Sequence, residues 1–109
     1  MVKRLIIRIS DVELGEVSKL SSEELDVMRT EIICSIIKEY GDLTDIVFSR
    51  MKDRVIYITS IGEGFSLLEG AKISDLFSKE FLIKEFIYKT EYDPVTEEEP
   101  YILIEVEKR

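Results

Sequence analysis

The chain contains no His, no Trp, no Asn and no Gln, and one cysteine, Cys34, among its 109 residues. Without His the usual general base near neutral pH is missing, so catalysis would fall to carboxylates, Lys, Tyr or Cys34. An enzyme is disfavoured on that ground. A lone cysteine excludes an intrachain disulfide and a cysteine-based metal site, and it fits a reducing cytoplasm. Apolar runs such as Leu5-Ile6-Ile7 fall far short of the ~20 residues that span a bilayer, and the N-terminus lacks the apolar stretch of a secretory signal. The expectation is a cytoplasmic protein with no membrane partner. Basic charge is scarce too: 23 acids against 15 bases give a net charge of −8. A hold on nucleic-acid phosphates would need a local patch working against that mean field, so nucleic acid is disfavoured as a partner. Missing amides alongside abundant Lys and Glu are a habit of hyperthermophile proteins. They suggest a thermophilic source, archaeal or an archaeal virus.

What is present is ordinary globular material, 45 % hydrophobic and 35 % charged, with Ile occurring sixteen times. The length suits a single domain over residues 1–109. Residues 3–10 alternate as a strand, with Leu5, Ile7 and Ile9 on one face and Arg4, Ile6 and Arg8 on the other. Ser21 and Glu24 have capping-box spacing, and Leu20 with Leu25 that of a hydrophobic staple. They predict a helix from Ser22 to Tyr40, ended by Gly41. Leu25, Met28, Ile32, Ile33, Ile36, Ile37 and Tyr40 share its apolar arc, while Val27 and Cys34 form a small strip on the opposite side. Residues 44–51 and 54–61 read as an antiparallel hairpin turning at Lys52-Asp53. Between 62 and 82 the pattern is interrupted by Gly62, Gly64 and Gly70. The preferred reading is a helix broken or re-phased near Gly70, carrying Ile73, Leu76, Phe77 and Phe81 inward; the rival makes 65–69 a short strand. Residues 83–91 and 101–107 complete the pattern as paired strands around a polar loop bounded by Pro94 and Pro100.

This order, strand, helix, strand, strand, helix, strand, strand, resembles a ferredoxin-like βαββαβ unit with an added C-terminal strand: α+β, an antiparallel sheet with two helices on one face. With the first strand dropped, the order also resembles the α/β core of roadblock-type dimerisation modules.

Chemistry-bearing candidates are few. Cys34 sits mid-helix with Glu31 one turn back and Lys38 one turn ahead, an environment suited to a small packing residue rather than a thiolate nucleophile. Asp11 and Glu13 after the first strand could converge with Asp42 or Asp45 on Mg²⁺, which would make a carboxylate-dependent metal enzyme. An Asp at that place is similar to the small CRISPR adaptation subunits, but the aromatic-rich run before it and the basic residues after it are absent. A solvated acidic loop explains these acids better. No cofactor and no metal site is assigned. Gly62-Glu63-Gly64 lacks the third glycine and the Gly-Lys-Ser/Thr of phosphate loops, and Glu63 would repel phosphate. Arg50, Lys52 and Arg54 gather at the hairpin tip as a possible contact for an anion or an acidic partner. Two acidic clusters, Asp11 to Asp26 and Glu91 to Glu99, could imitate nucleic-acid charge and occupy a basic protein's groove.

Two helices cover only one face of such a sheet, and the alternate residues of its strands are not polar. The leading expectation is therefore a non-enzymatic, self-associating regulatory or protein-interaction module, a homodimer. Its interface would be Ile6, Tyr101 and Leu103 on the sheet, or Val27 and Cys34 on the first helix. An acidic inhibitor or adaptor of a nucleic-acid enzyme, binding a basic protein partner, is the alternative.

Overall fold

A computed structural model describes residues 1–10, 20–40, 46–52 and 54–109, with Tyr40 and residues 46–52 described by their backbone. The chain runs β1 (Arg4–Ser10), α1 (Ser22–Tyr40), β2 (Ile46–Lys52), β3 (Val55–Ser60), α2 (Leu67–Ser78), β4 (Phe81–Lys89) and β5 (Tyr101–Lys108). The strands form one five-stranded sheet in the order β2-β3-β1-β5-β4. The architecture is ferredoxin-like, βαββαβ with an added C-terminal strand. That strand does not extend an edge: β5 inserts between β1 and β4, pairing parallel to β1 and antiparallel to β4. The sheet is therefore mixed rather than wholly antiparallel. The cause is local, because the β4–β5 hairpin is antiparallel within itself and β4 runs opposite to β1. The roadblock-like alternative fails on β1, which it omitted and which here is the middle strand joining β3 to β5.

Burial follows the alternation of each strand. In β1, Leu5, Ile7 and Ile9 are buried while Arg4, Ile6, Arg8 and Ser10 are half-exposed. The inward set continues through Ile56 and Ile58 of β3 and Ile102, Ile104 and Val106 of β5. Met28, Ile32 and Ile36 of α1 and Ile73 and Phe77 of α2 join these in one core cluster, so both helices cover the same face. Each such side chain contributes about 1.5–3 kcal/mol by leaving water. The start of α1 is capped as its sequence predicts: the Glu24 N–H donates to Ser21 Oγ (3.1 Å) and the Ser21 N–H to Glu24 Oε1 (3.2 Å). Leu20 and Leu25 pack against the core beside it. The expected stop at Gly41 and the turn at Asp53 lie outside the described residues.

The segment 62–82 departs from expectation. Helix α2 is unbroken through Gly70 and starts at a second capping box, in which Ser66 accepts from the Glu69 N–H and Glu69 accepts from the Ser66 N–H. Gly70 is a point of close packing instead of a break. A Cβ there would lie 3.0 Å from Ile102 Cδ1 and 3.3 Å from Phe86 Cζ. Phe65 makes only an isolated antiparallel bridge to Val2, not a strand. Phe81 is buried as expected but opens β4 rather than closing the helix, because the chain turns at Lys79 and Glu80.

Candidate functional site

On the face away from the helices, the strand registers assemble a row that no single segment reveals. Ile6 pairs with Tyr57 on one side and Leu103 on the other, and Leu103 pairs with Ile87. Four apolar side chains, Tyr57, Ile6, Leu103 and Ile87, thus stand side by side across β3, β1, β5 and β4. Leu103, in the middle, is only 8 % exposed, while its three row-mates are half-buried. Among the described residues no element packs over this row.

Charge borders the row on both sides. One step toward the C-terminal end of β1, the Arg8 guanidinium reaches Glu105 Oε2 at 2.9 Å and Glu85 Oε2 at 3.7 Å, tying β1, β5 and β4 together. Lys84 and Glu107 follow at 3.3 Å. On the other side stand Arg4, Tyr101 and Lys89, registered with one another. The Lys89 ammonium lies 5.8 Å from the centre of the Tyr101 ring and bridges Glu98 (3.3 Å) and Asp93 (3.7 Å) of the following loop. The Glu98 hydrogen bond holds the Lys89 ammonium above its usual range. Backbone N–H groups of Val95 and Thr96 hold Asp93 below its own. Pairs this exposed are screened by solvent and contribute little to stability, so they frame the apolar row without driving anything onto it.

Three of the five expected interface residues, Ile6, Tyr101 and Leu103, are thereby brought onto one surface. Tyr57 and Ile87 belong with them and were missed. Tyr57 was legible from the alternation of β3, but the phase of Ile87 depends on a bulge between Ile83 and Glu85. Val27 and Cys34 are exposed on the far side of α1, apart from this surface, with Val27 at 56 %. Val27 also lines a cleft of about 430 Å³ between α1, β4 and the C-terminus, together with Met28, Phe81, Glu23, Glu31 and Glu80. There Lys108 bonds Glu24, and that bond, with the Ser21 N–H, holds the Glu24 carboxyl below the ordinary glutamate range.

Of the basic trio, Arg54 is half-buried, and the side chains of Arg50 and Lys52 lie outside the described residues, as do Asp11, Glu13, Asp42 and Asp45. Among the described residues no three His, Cys, Asp or Glu side chains group closely enough to hold a metal ion. No described helix is long and apolar enough to cross a membrane. At Gly62 the backbone carbonyl accepts from the Lys3 ammonium, which places that turn against the start of β1. No protein-family model, curated protein or solved structure matches this chain.

Proposed function

We propose that the chain is a protein-interaction module whose working form is a two-fold dimer joined through the open face of its sheet. The observation that carries this reading is the apolar row Tyr57, Ile6, Leu103, Ile87, three members of which are left half-exposed between two charged borders. An apolar strip rimmed by charge is how specific association surfaces are built. The sheet edges suit that role less well. Both edge strands carry a register shift, between Phe48 and Arg50 in β2 and between Ile83 and Glu85 in β4, and such bulges disrupt the ladder a further strand would need. The absence of Asn and Gln supports a thermophilic setting, archaeal or archaeal-viral, and the single cysteine supports a cytoplasmic one.

The test is sedimentation velocity on Ile6→Lys and Val27→Lys beside the parent chain. An ammonium in the middle of the row should weaken the dimer by about 100-fold or more, the scale of a hot-spot loss, whereas Val27→Lys should leave it intact. The reverse pattern would move the interface to α1, and unaltered sedimentation in both would refute self-association through either surface.

A second reading, an acidic adaptor for a basic protein, draws on the cleft beside α1, where Glu23, Glu31 and Glu80 stand around Val27, Met28 and Phe81. It predicts binding to a basic partner that weakens steeply with added salt and is lost in a Glu23→Gln, Glu31→Gln, Glu80→Gln triple variant.

A further inference from the structure

The open face also restricts how two copies can meet, an inference that rests on reading it as the self-association surface. We infer that the two-fold axis runs along the strands, midway between β1 and β5. These two strands are parallel and in register, so Arg4 stands beside Tyr101, Ile6 beside Leu103 and Arg8 beside Glu105. A two-fold between them lays β1 of one copy over β5 of the other at the same level. Arg4 then meets Tyr101 of the partner subunit, a cation over an aromatic ring. Ile6 meets Leu103 of the partner subunit, and Arg8 meets Glu105 of the partner subunit, so the in-chain Arg8–Glu105 bond of 2.9 Å becomes half of a square of alternating charges, with the Glu85 carboxylate of each copy at its edge. One strand further out, Tyr57 of β3 covers Ile87 of the partner subunit. Every member of the apolar row is closed.

The other face-to-face two-folds do worse. An axis through β1 sets Arg4 on Arg4 and Arg8 on Arg8, and one through β5 sets Glu105 on Glu105. An axis along the row, across the strands, sets Arg4 on Arg8. Like charges facing one another in a desolvated interface repel and disfavour these arrangements. An axis between β3 and β1 avoids this but leaves β4, and with it Ile87, beyond the partner's sheet. Charge complementarity and cover of the whole row coincide only at the β1/β5 axis. The aligned packing of twisted sheets, about 30° between strand directions, shifts the outer contacts more than these central ones.

Full-length Arg8→Glu and Glu105→Arg chains, sedimented separately and then mixed, test the arrangement. Alone, each sets like charges across the axis twice and should dimerise at least tenfold more weakly than the parent. Mixed, Glu at position 8 meets Arg at position 105 and the remaining Glu105 meets the remaining Arg8, so a heterodimer of near-parental affinity should form. If the parent dimerises and Ile6→Lys abolishes it, but the reversed chains pair with themselves as well as the parent does, the axis is wrong and the surface stands. If the parent never dimerises, the underlying reading falls. Should a reversed chain fail to melt cooperatively, Arg8→Gln and Glu105→Gln replace it. Each should weaken the dimer about tenfold if the axis is right and change it less than twofold if it is wrong.

Discussion

Gly64 sits at φ +111°, where a Cβ would come within 2.6 Å of the Val2 carbonyl oxygen. That carbonyl accepts from the Phe65 N–H, and the Val2 N–H donates back to the Phe65 carbonyl at 2.9 Å. The glycine therefore lets the loop before α2 lie flat against the start of β1. Gly64→Ala should cost about 1–3 kcal/mol, read from urea denaturation, whereas Gly62→Ala, at a position without a positive φ, should cost far less. Glu24 makes the stability of the fold depend on pH. Its carboxylate takes the Lys108 ammonium and the Ser21 N–H, so its pKa is lower folded than unfolded. A depressed carboxylate stabilises the fold above its unfolded-state pKa, and that contribution disappears as pH falls through the folded-state value. The melting temperature should therefore drop on acidification below about pH 4. Glu24→Gln, which keeps a capping side chain at this position, should melt lower at neutral pH and lose less on acidification. Equal acid losses in the two proteins would assign the drop to other carboxylates.

At the scale of elements, α2 shows where reading the sequence succeeds and where it stops. Helix α1 was legible because its signals are local: Ser21 and Glu24 sit three apart and its apolar arc recurs every turn. The same spacing stands at Ser66 and Glu69 but goes unread beside Gly70, which looks like a breaker in isolation. What gives Gly70 its role is Ile102 and Phe86, brought against it by strands far along the chain, so no local pattern could supply it. The place of β5 was hidden for a related reason. Alternation identifies a strand and its two faces but not its neighbours, and insertion between β1 and β4 is a choice among pairings. Hence Ile6, Leu103 and Tyr101 could be assigned to an outward face without Ile87, whose phase is set by the β4 bulge. Packing at Gly70 is testable. Gly70→Ala should change stability by less than about 1 kcal/mol, since the gain in helix propensity offsets displacement of Ile102 Cδ1. Gly70→Val, too large for the gap, should cost about 2 kcal/mol or more. Equal tolerance of both would show that the contact is slack.

For the whole molecule, the two sides of the sheet have different fates. One is sealed by α1 and α2 over a core in which Leu5, Ile7, Ile32, Ile36, Ile73 and Phe77 are completely buried. The other has an apolar centre and no described cover. A second apolar surface lies at one pole, where β1 begins and β3 ends: Met1, Ile61, Leu67 and Leu68 are all more than half exposed. Nothing in the structure shows what covers that pole, whereas the proposed axis between β1 and β5 would close the open face with a second copy.

Closure of that face by a second copy doubles the particle's mass, which the molar mass of the parent chain in solution reads directly. Light scattering across a dilution series from hundreds of micromolar downward should give twice the 12.7 kDa of one chain, falling toward 12.7 kDa only on dilution. A mass of 12.7 kDa throughout, with the row still open to solvent, would contradict it.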